Sequence, residues 1–226
     1  MNLLSKTWNI CLDVLFPPIC LNCRKYLDKQ TDRNLICNVC FSSIDIYGLC
    51  QPISAKTILA CATSYGNKAV KELIHTLKYN GLERAAEPIA EIIVAYVDKI
   101  GLLEIIEPEN AVIVPVPLHW HKKKQRGFNQ SELIARELGK RLNIPVENIL
   151  KRTRDTKPQI EMVSDKARAE NIKNAFAIRP IGYSLLAKHL ILIDDVFTSG
   201  ATALEAAKVL HQLKPKQIII LTATRA

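Results

Sequence analysis

A chain of 226 residues, 48% hydrophobic and 23% charged, can bury one substantial core and carry a small module besides, which excludes an intrinsically disordered protein. No run reaches the roughly 18 to 20 uninterrupted apolar residues that a membrane-spanning helix requires. The formal net charge of +9 favours anionic partners such as nucleotides or nucleic acid, although charge alone identifies none of them.

The opening stretch, MNLLSKTWNICLDVLF, is too interrupted by Lys6 and Asp13 to be a signal peptide, and no small-residue cleavage site follows. Leu4, Trp8, Cys11 and Leu15 recur at helical spacing, so a short amphipathic helix docked on the body is expected, in a cytoplasmic protein. Seven cysteines follow no complete disulfide framework. Cys20 and Cys23 form one C-x2-C pair, and Cys37 and Cys40 form a second after thirteen intervening residues. Two such knuckles supply the four thiolates of a tetrahedral zinc shell. Four thiolates leave no open coordination position, so the ion is expected to hold together a module lacking a core of its own. Cys11 and Cys61 stand in apolar surroundings and read as small buried hydrophobes. Cys50 has no partner and is not assigned as a ligand.

Around residue 52 the composition changes, which divides the chain into an N-terminal helix and zinc module (1–52) and a larger domain (53–226). In the latter, the pattern predicts a strand over 57–65, then helices over 68–80 and 86–100, the first with Val70, Leu73, Ile74 and Leu77 on one face. A fully apolar strand, AVIVPVP (111–117), is stopped by prolines, and an amphipathic helix begun by Asn129 or Ser131 runs over 129–143. The polar stretch 152–175 lacks a period and reads as a mobile loop leading into a short helix. A second buried strand (189–195), a helix (203–213) and a strand (216–224) complete the chain. Alternation of this kind implies an α/β domain whose mostly parallel sheet is covered on both faces.

The strand HLILI delivers Asp194 and Asp195 to its carboxyl end, where open α/β sheets bind ligands. The turn TSGAT then enters a helix, and unpaired N–H groups at a helix start suit a phosphate. Gly200 permits close backbone approach, while Thr198, Ser199 and Thr202 add hydroxyl donors. Two acids beside a phosphate site must face something else, and hydroxyl groups suit carboxylates. A ligand with a phosphate at one end and a diol nearby, such as ribose 5-phosphate, satisfies both. The chain contains neither a G-x-x-x-x-G-K-[ST] loop nor a G-x-G-x-x-G fingerprint.

ILIDDVFTSGAT (191–202) resembles the 5-phosphoribosyl 1-diphosphate (PRPP) signature of the type I phosphoribosyltransferases. LIHTLKYNG (73–81), VPVPLHWHKKKQRGFNQSELIA (114–135), RTRDTKPQ (152–159) and RAENIKNAF (168–176) are similar to the ComF family, which includes competence proteins of the ComFC and GntX-like type. That resemblance implies a Rossmann-like transferase domain behind an N-terminal zinc ribbon. It implies that Asp194 and Asp195 hold the ribose hydroxyls and that Thr198, Ser199, Gly200, Ala201 and Thr202 wrap the 5-phosphate, with Val196 and Phe197 between. It places Pro117, Leu118 and His119 in the diphosphate loop, and brings Mg²⁺ with the diphosphate. Cys50 departs from the family pattern, lacking the partner cysteine often found there.

HKKKQRGFNQ (121–130) concentrates four cations, of which Lys122 to Lys124 suit a solvated face as well as a ligand. Arg126, before Gly127 and the helix start, is the better anion contact, and a cation there would stabilise a leaving diphosphate. Lys78 in LKYNG is an anion contact by its place in the family motif. Arg152, Arg154 and Lys157 belong to a segment that closes over PRPP in such transferases or that merely keeps a loop soluble. No nucleophile–base pair stands out, and the five histidines read as structural or exposed. Two functions therefore remain open together: a Mg²⁺-dependent phosphoribosyltransferase, and a DNA-uptake protein whose basic surface binds single-stranded DNA and other competence-machinery proteins.

Overall fold

The computed structural model describes residues 17–28, 35–46, 49–156, 162–180 and 189–226. The expected N-terminal helix with Cys11, and Lys157, lie outside them. None of the described helices is long and apolar enough to cross a membrane.

The described elements begin with α1 (Asn38–Ser42), β1 (Leu49–Ser54), β2 (Thr57–Ser64), α2 (Lys68–Tyr79), α3 (Ala86–Lys99), α4 (Leu102–Ile106), β3 (Ala111–Pro115), α5 (Trp120–Arg126) and α6 (Gln130–Leu142). They continue with β4 (Leu150–Arg152), α7 (Asp165–Ile172), β5 (Phe176–Ile178), β6 (His189–Phe197), α8 (Ala201–Leu210) and β7 (Gln217–Arg225). One five-stranded sheet runs β1-β2-β7-β6-β3, parallel throughout except for the edge pair β1–β2. The domain is thus the mixed α/β fold with a mostly parallel sheet that the alternation predicts.

Both faces of the sheet are covered, which explains why its strands are apolar at consecutive positions and not only at alternate ones. On one side Ile191, Ile193, Ile219 and Leu221 pack with α2, α3 and α6. On the other Leu190, Leu192, Ile218 and Ile220 pack with α8 and with Ile172 and Phe176. Neighbouring residues of one strand therefore serve two cores. Cys20, Leu35, Ile36, Cys37, Cys40 and Ile44 join the first of these cores. Gly139 lets the 143–146 strap cross α6: a Cβ there would lie 2.5 Å from a Val146 methyl and 2.8 Å from the Ile144 carbonyl oxygen.

The long elements follow the predicted boundaries closely. Asn129 is the N-cap of α6, its side chain accepting from the Ser131 N–H. Strand β6 extends two residues beyond the predicted 189–195, through Phe197, so both acids precede its last residues and do not end it. β1 was hidden because its residues are mostly exposed and include Pro52, tolerable only at an edge. The polar stretch 152–175 contains the end of an antiparallel ribbon, β4–β5, and the helix α7 between its strands.

Candidate functional site

At the carboxyl ends of β3 and β6 and beside the last residues of β7 lies a cleft of about 380 Å³. It is lined by Lys78, Pro117, Leu118 and the whole stretch Asp194 to Thr202. The chain enters the left-handed region at Gly200 (φ +75°) and turns directly into α8. A Cβ at Gly200 would lie 2.3 Å from the Phe197 ring, so this turn requires glycine for conformation and for space. The first N–H groups of α8 consequently open on the cleft, the arrangement that binds anions.

The acids face each other's neighbours across the floor. Asp194 Oδ1 accepts from the Ser131 hydroxyl at 3.1 Å and from the Asp195 N–H at 3.0 Å. Asp195 Oδ1 accepts from the Val196 N–H at 2.9 Å, while its Oδ2 lies 2.6 Å from the Lys78 ammonium. Burial, then the adjacent Asp195 charge, push the Asp194 carboxyl up to about 7, against the pull of Lys78, the Asp195 N–H and Ser131. Burial acts to lower Lys78, but Asp195 beside it outweighs this and holds the ammonium above its ordinary range. The cleft thus holds one fixed ion pair and one carboxyl poised to ionise near neutrality.

Two expected contacts lie elsewhere. His119 is buried and turns its Nδ1 towards Asp155, 3.4 Å away, and it does not line the cleft. Arg126 stands behind the wall: its guanidinium donates to Gln130 Oε1 at 2.5 Å and lies 5.9 Å from the Tyr79 ring centre, both of them wall residues. Arg152, at the end of β4, does line the cleft, whereas Arg154 donates to the Lys173 carbonyl. Sequence reasoning missed Ser131 and Arg168, two further lining residues. Both fall inside stretches that carry the family resemblance, yet nothing local marks a serine in a helical first turn as the partner of an acid 63 residues away.

The sulfurs of Cys20, Cys23, Cys37 and Cys40 all lie within 4.8 Å of one another, and those of Cys23 and Cys37 are 3.7 Å apart. Zn–S bonds of about 2.3 Å would space tetrahedral sulfurs by about 3.8 Å. The Cys37 N–H points at Cys20 Sγ, the Cys40 N–H at Cys37 Sγ, and Asn22 Nδ2 at Cys40 Sγ, each at 3.3–3.4 Å. Three donors aimed at sulfur suit thiolates, so the donor set fits a metal ion such as zinc. Cys50, exposed on β1, lies outside this group.

Fold and site together define an α/β protein with an acid-lined cleft at the carboxyl edge of its sheet and a four-cysteine cluster that could hold a metal ion. No family model matches the chain. It is 36% identical over 115 residues to competence protein F of Haemophilus influenzae, covering 50% of each chain. It is 31% identical over 146 residues to DNA utilization protein YhgH of Escherichia coli (61% of this chain, 59% of that one). Against competence protein ComFC of Bacillus subtilis it is 27% identical over 203 residues (85% and 77%). The chain thus spans between half and three-fifths of the length of the first two relatives. It is similar, over half or more of its length, to proteins named for competence and DNA utilization.

Proposed function

We propose that the protein is a cytoplasmic ComF-type competence protein that acts in DNA uptake, its transferase-like domain (53–226) binding PRPP with Mg²⁺ and its N-terminal module (1–52) held by one structural zinc ion. The observation that carries this reading is the acid pair beside the glycine turn. Asp194 and Asp195 take the ribose hydroxyls, residues 198–202 the 5-phosphate, and Lys78 and Arg152 flank the anionic end. Magnesium arrives as part of the ligand and supplies charge neutralisation on the diphosphate. Transfer of the ribose phosphate to an acceptor needs positioning more than a protein nucleophile, in keeping with a sequence in which no nucleophile–base pair stands out.

The titration of Asp194 provides the test. Accepting a hydrogen bond from a diol favours the ionised carboxylate, and below about pH 7 that carboxyl is protonated in the free protein. Ligand binding then has to release a proton. Affinity for PRPP–Mg²⁺, read by calorimetry, is expected to rise from pH 6 to 8, by up to about tenfold per unit below pH 7 and levelling above it. Asp194→Asn serves as the control, since it should remove that slope. An affinity that is flat or falling over this range in the unmodified protein would remove the assigned role of Asp194.

A second surface supports the nucleic-acid part of the reading. Trp120 and Tyr79 are 61% and 67% exposed, and Lys122, Lys123, Lys124 and Arg126 share α5 with Trp120. Exposed rings among cations offer stacking and phosphate contacts to single-stranded DNA. Binding of an oligonucleotide is expected to weaken steeply between 50 and 200 mM salt and to weaken further in Trp120→Ala. Salt-insensitive binding would refute the electrostatic assignment.

A further inference from the structure

A second group of metal-binding side chains lies just past the cleft wall. His119 and His121 flank Trp120 at the start of α5, and Asp155 reaches them from the segment after β4. His121 Nδ1 is 2.6 Å from Asp155 Oδ2, and His119 Nδ1 is 3.4 Å from Asp155 Oδ1, so the two imidazoles address different oxygens of one carboxylate. All three ligand positions fit within 4.8 Å. The rings of His119 and His121 meet edge to face, 5.0 Å between centres.

The independent observation is His119 Nδ1 itself. It is a buried nitrogen that makes no hydrogen bond among the described residues. Buried polar atoms are ordinarily satisfied, and those that are not call for a ligand or an ion. The surroundings keep the group assembled. The Trp120 ring lies 3.6 Å from that of His121, and the residue after Asp155 is held by the Lys122 ammonium on its carbonyl, at 2.9 Å, and by Arg152 on its hydroxyl.

We propose that His119, His121 and Asp155 bind one first-row divalent cation, with zinc the best suited. Two imidazole nitrogens and a carboxylate oxygen are ligands for such ions, at about 2.0 to 2.2 Å each. Donors around a tetrahedral or octahedral ion at that radius stand about 3.0 to 3.4 Å apart. The His119 distance already matches. The His121 pair has to open by less than about 1 Å, well within the rotation available to side chains 53% and 46% exposed. Three protein ligands leave a coordination position for water or an anion. The bound ion would cross-link the start of α5 to the end of β4, and so pin the strand that presents Arg152 to the cleft. None of this depends on what the cleft binds.

The test uses the full chain with zinc retained at its four cysteines, freed of loosely held metal on a chelating resin and titrated with Co²⁺. One further equivalent is expected, with weak d–d absorption and without the intense thiolate charge-transfer of cobalt in a sulfur site. The melting temperature should rise with it. His121→Ala and Asp155→Asn, both at exposed positions, should each lower that affinity at least about tenfold while leaving cysteine-bound zinc in place. Uptake that shows only thiolate charge-transfer, no further equivalent, or an affinity unchanged in both variants would overturn the proposal.

Discussion

Asparagine at both Asp194 and Asp195 is expected to lower affinity for PRPP–Mg²⁺ by about 10² to 10⁴. On the proposed reading each carboxylate accepts a charge-assisted hydrogen bond from a ribose hydroxyl, worth about 1.5 to 3 kcal/mol, and an amide of the same shape retains only part of it. The two positions should separate in stability. Asp195→Asn leaves the Lys78 ammonium without the carboxylate 2.6 Å away. Removing one member of a buried pair costs about 3 to 5 kcal/mol, and the 21% exposure of the Lys78 side chain reduces this to roughly 1 to 3 kcal/mol through solvent screening.

Asp194→Asn should do the reverse above neutrality. In the unfolded chain this carboxyl ionises near its ordinary 3.8, in the native protein only near 7. Between those values the native state holds a proton that the unfolded state has lost, so native stability falls as pH rises. The substitution abolishes that loss and is expected to stabilise the protein at pH 8 by an amount on the order of 1 kcal/mol. Melting curves with and without ligand, at pH 6 and 8, read both effects. A double variant that still binds PRPP–Mg²⁺ with near-native affinity would end the diol assignment.

The second large effect is expected at the cysteines. Serine at Cys20 and Cys37 removes one sulfur from each knuckle, and the protein should lose the tightly held zinc, read by metal analysis. Structural zinc in small modules contributes about 10 to 16 kcal/mol of apparent folding energy, so the segment around these residues should become protease-sensitive. The effect should reach the larger domain too. Leu35, Ile36 and Ile44 pack into the same core as α2 and α3, and the Thr63 hydroxyl donates to the Asp45 carbonyl at 2.7 Å. Tyr96 on α3 likewise donates to the Leu49 carbonyl at 2.9 Å. A melting temperature several degrees lower is the expected result. A melt unchanged by removal of the tightly held zinc would show that the sulfurs close on one another without an ion.

The parts of this protein written locally were legible in its residues. Consecutive apolar residues in 190–193 and 218–221 state that those strands are buried on two faces, because no one-sided strand tolerates such a run. The turn at 198–202 was readable because a glycine between hydroxyl residues marks the junction of a strand with a helix, where the chain enters the left-handed region at Gly200. The paired C-x2-C spacing announced the four-cysteine cluster for a similar reason: within each pair the sulfur geometry is set by two intervening residues.

Contacts between distant segments were not legible, since their energy depends on a neighbour and not on a pattern. Ser131 became a partner of Asp194 only when α6 packed beside β6. His119, expected at the cleft, faces Asp155 instead, because α5 begins at Trp120 and directs the preceding imidazole behind the wall. The charge state of the acid pair was also decided in three dimensions, by the burial of two adjacent carboxylates with one lysine. Sequence alone determined the order of elements, the glycine turn into α8 and the pairing of cysteines, which rest on near-neighbour stereochemistry. Tertiary packing decided which side chains complete the cleft and where the protons sit, because desolvation and charge pairing arise only once remote segments meet.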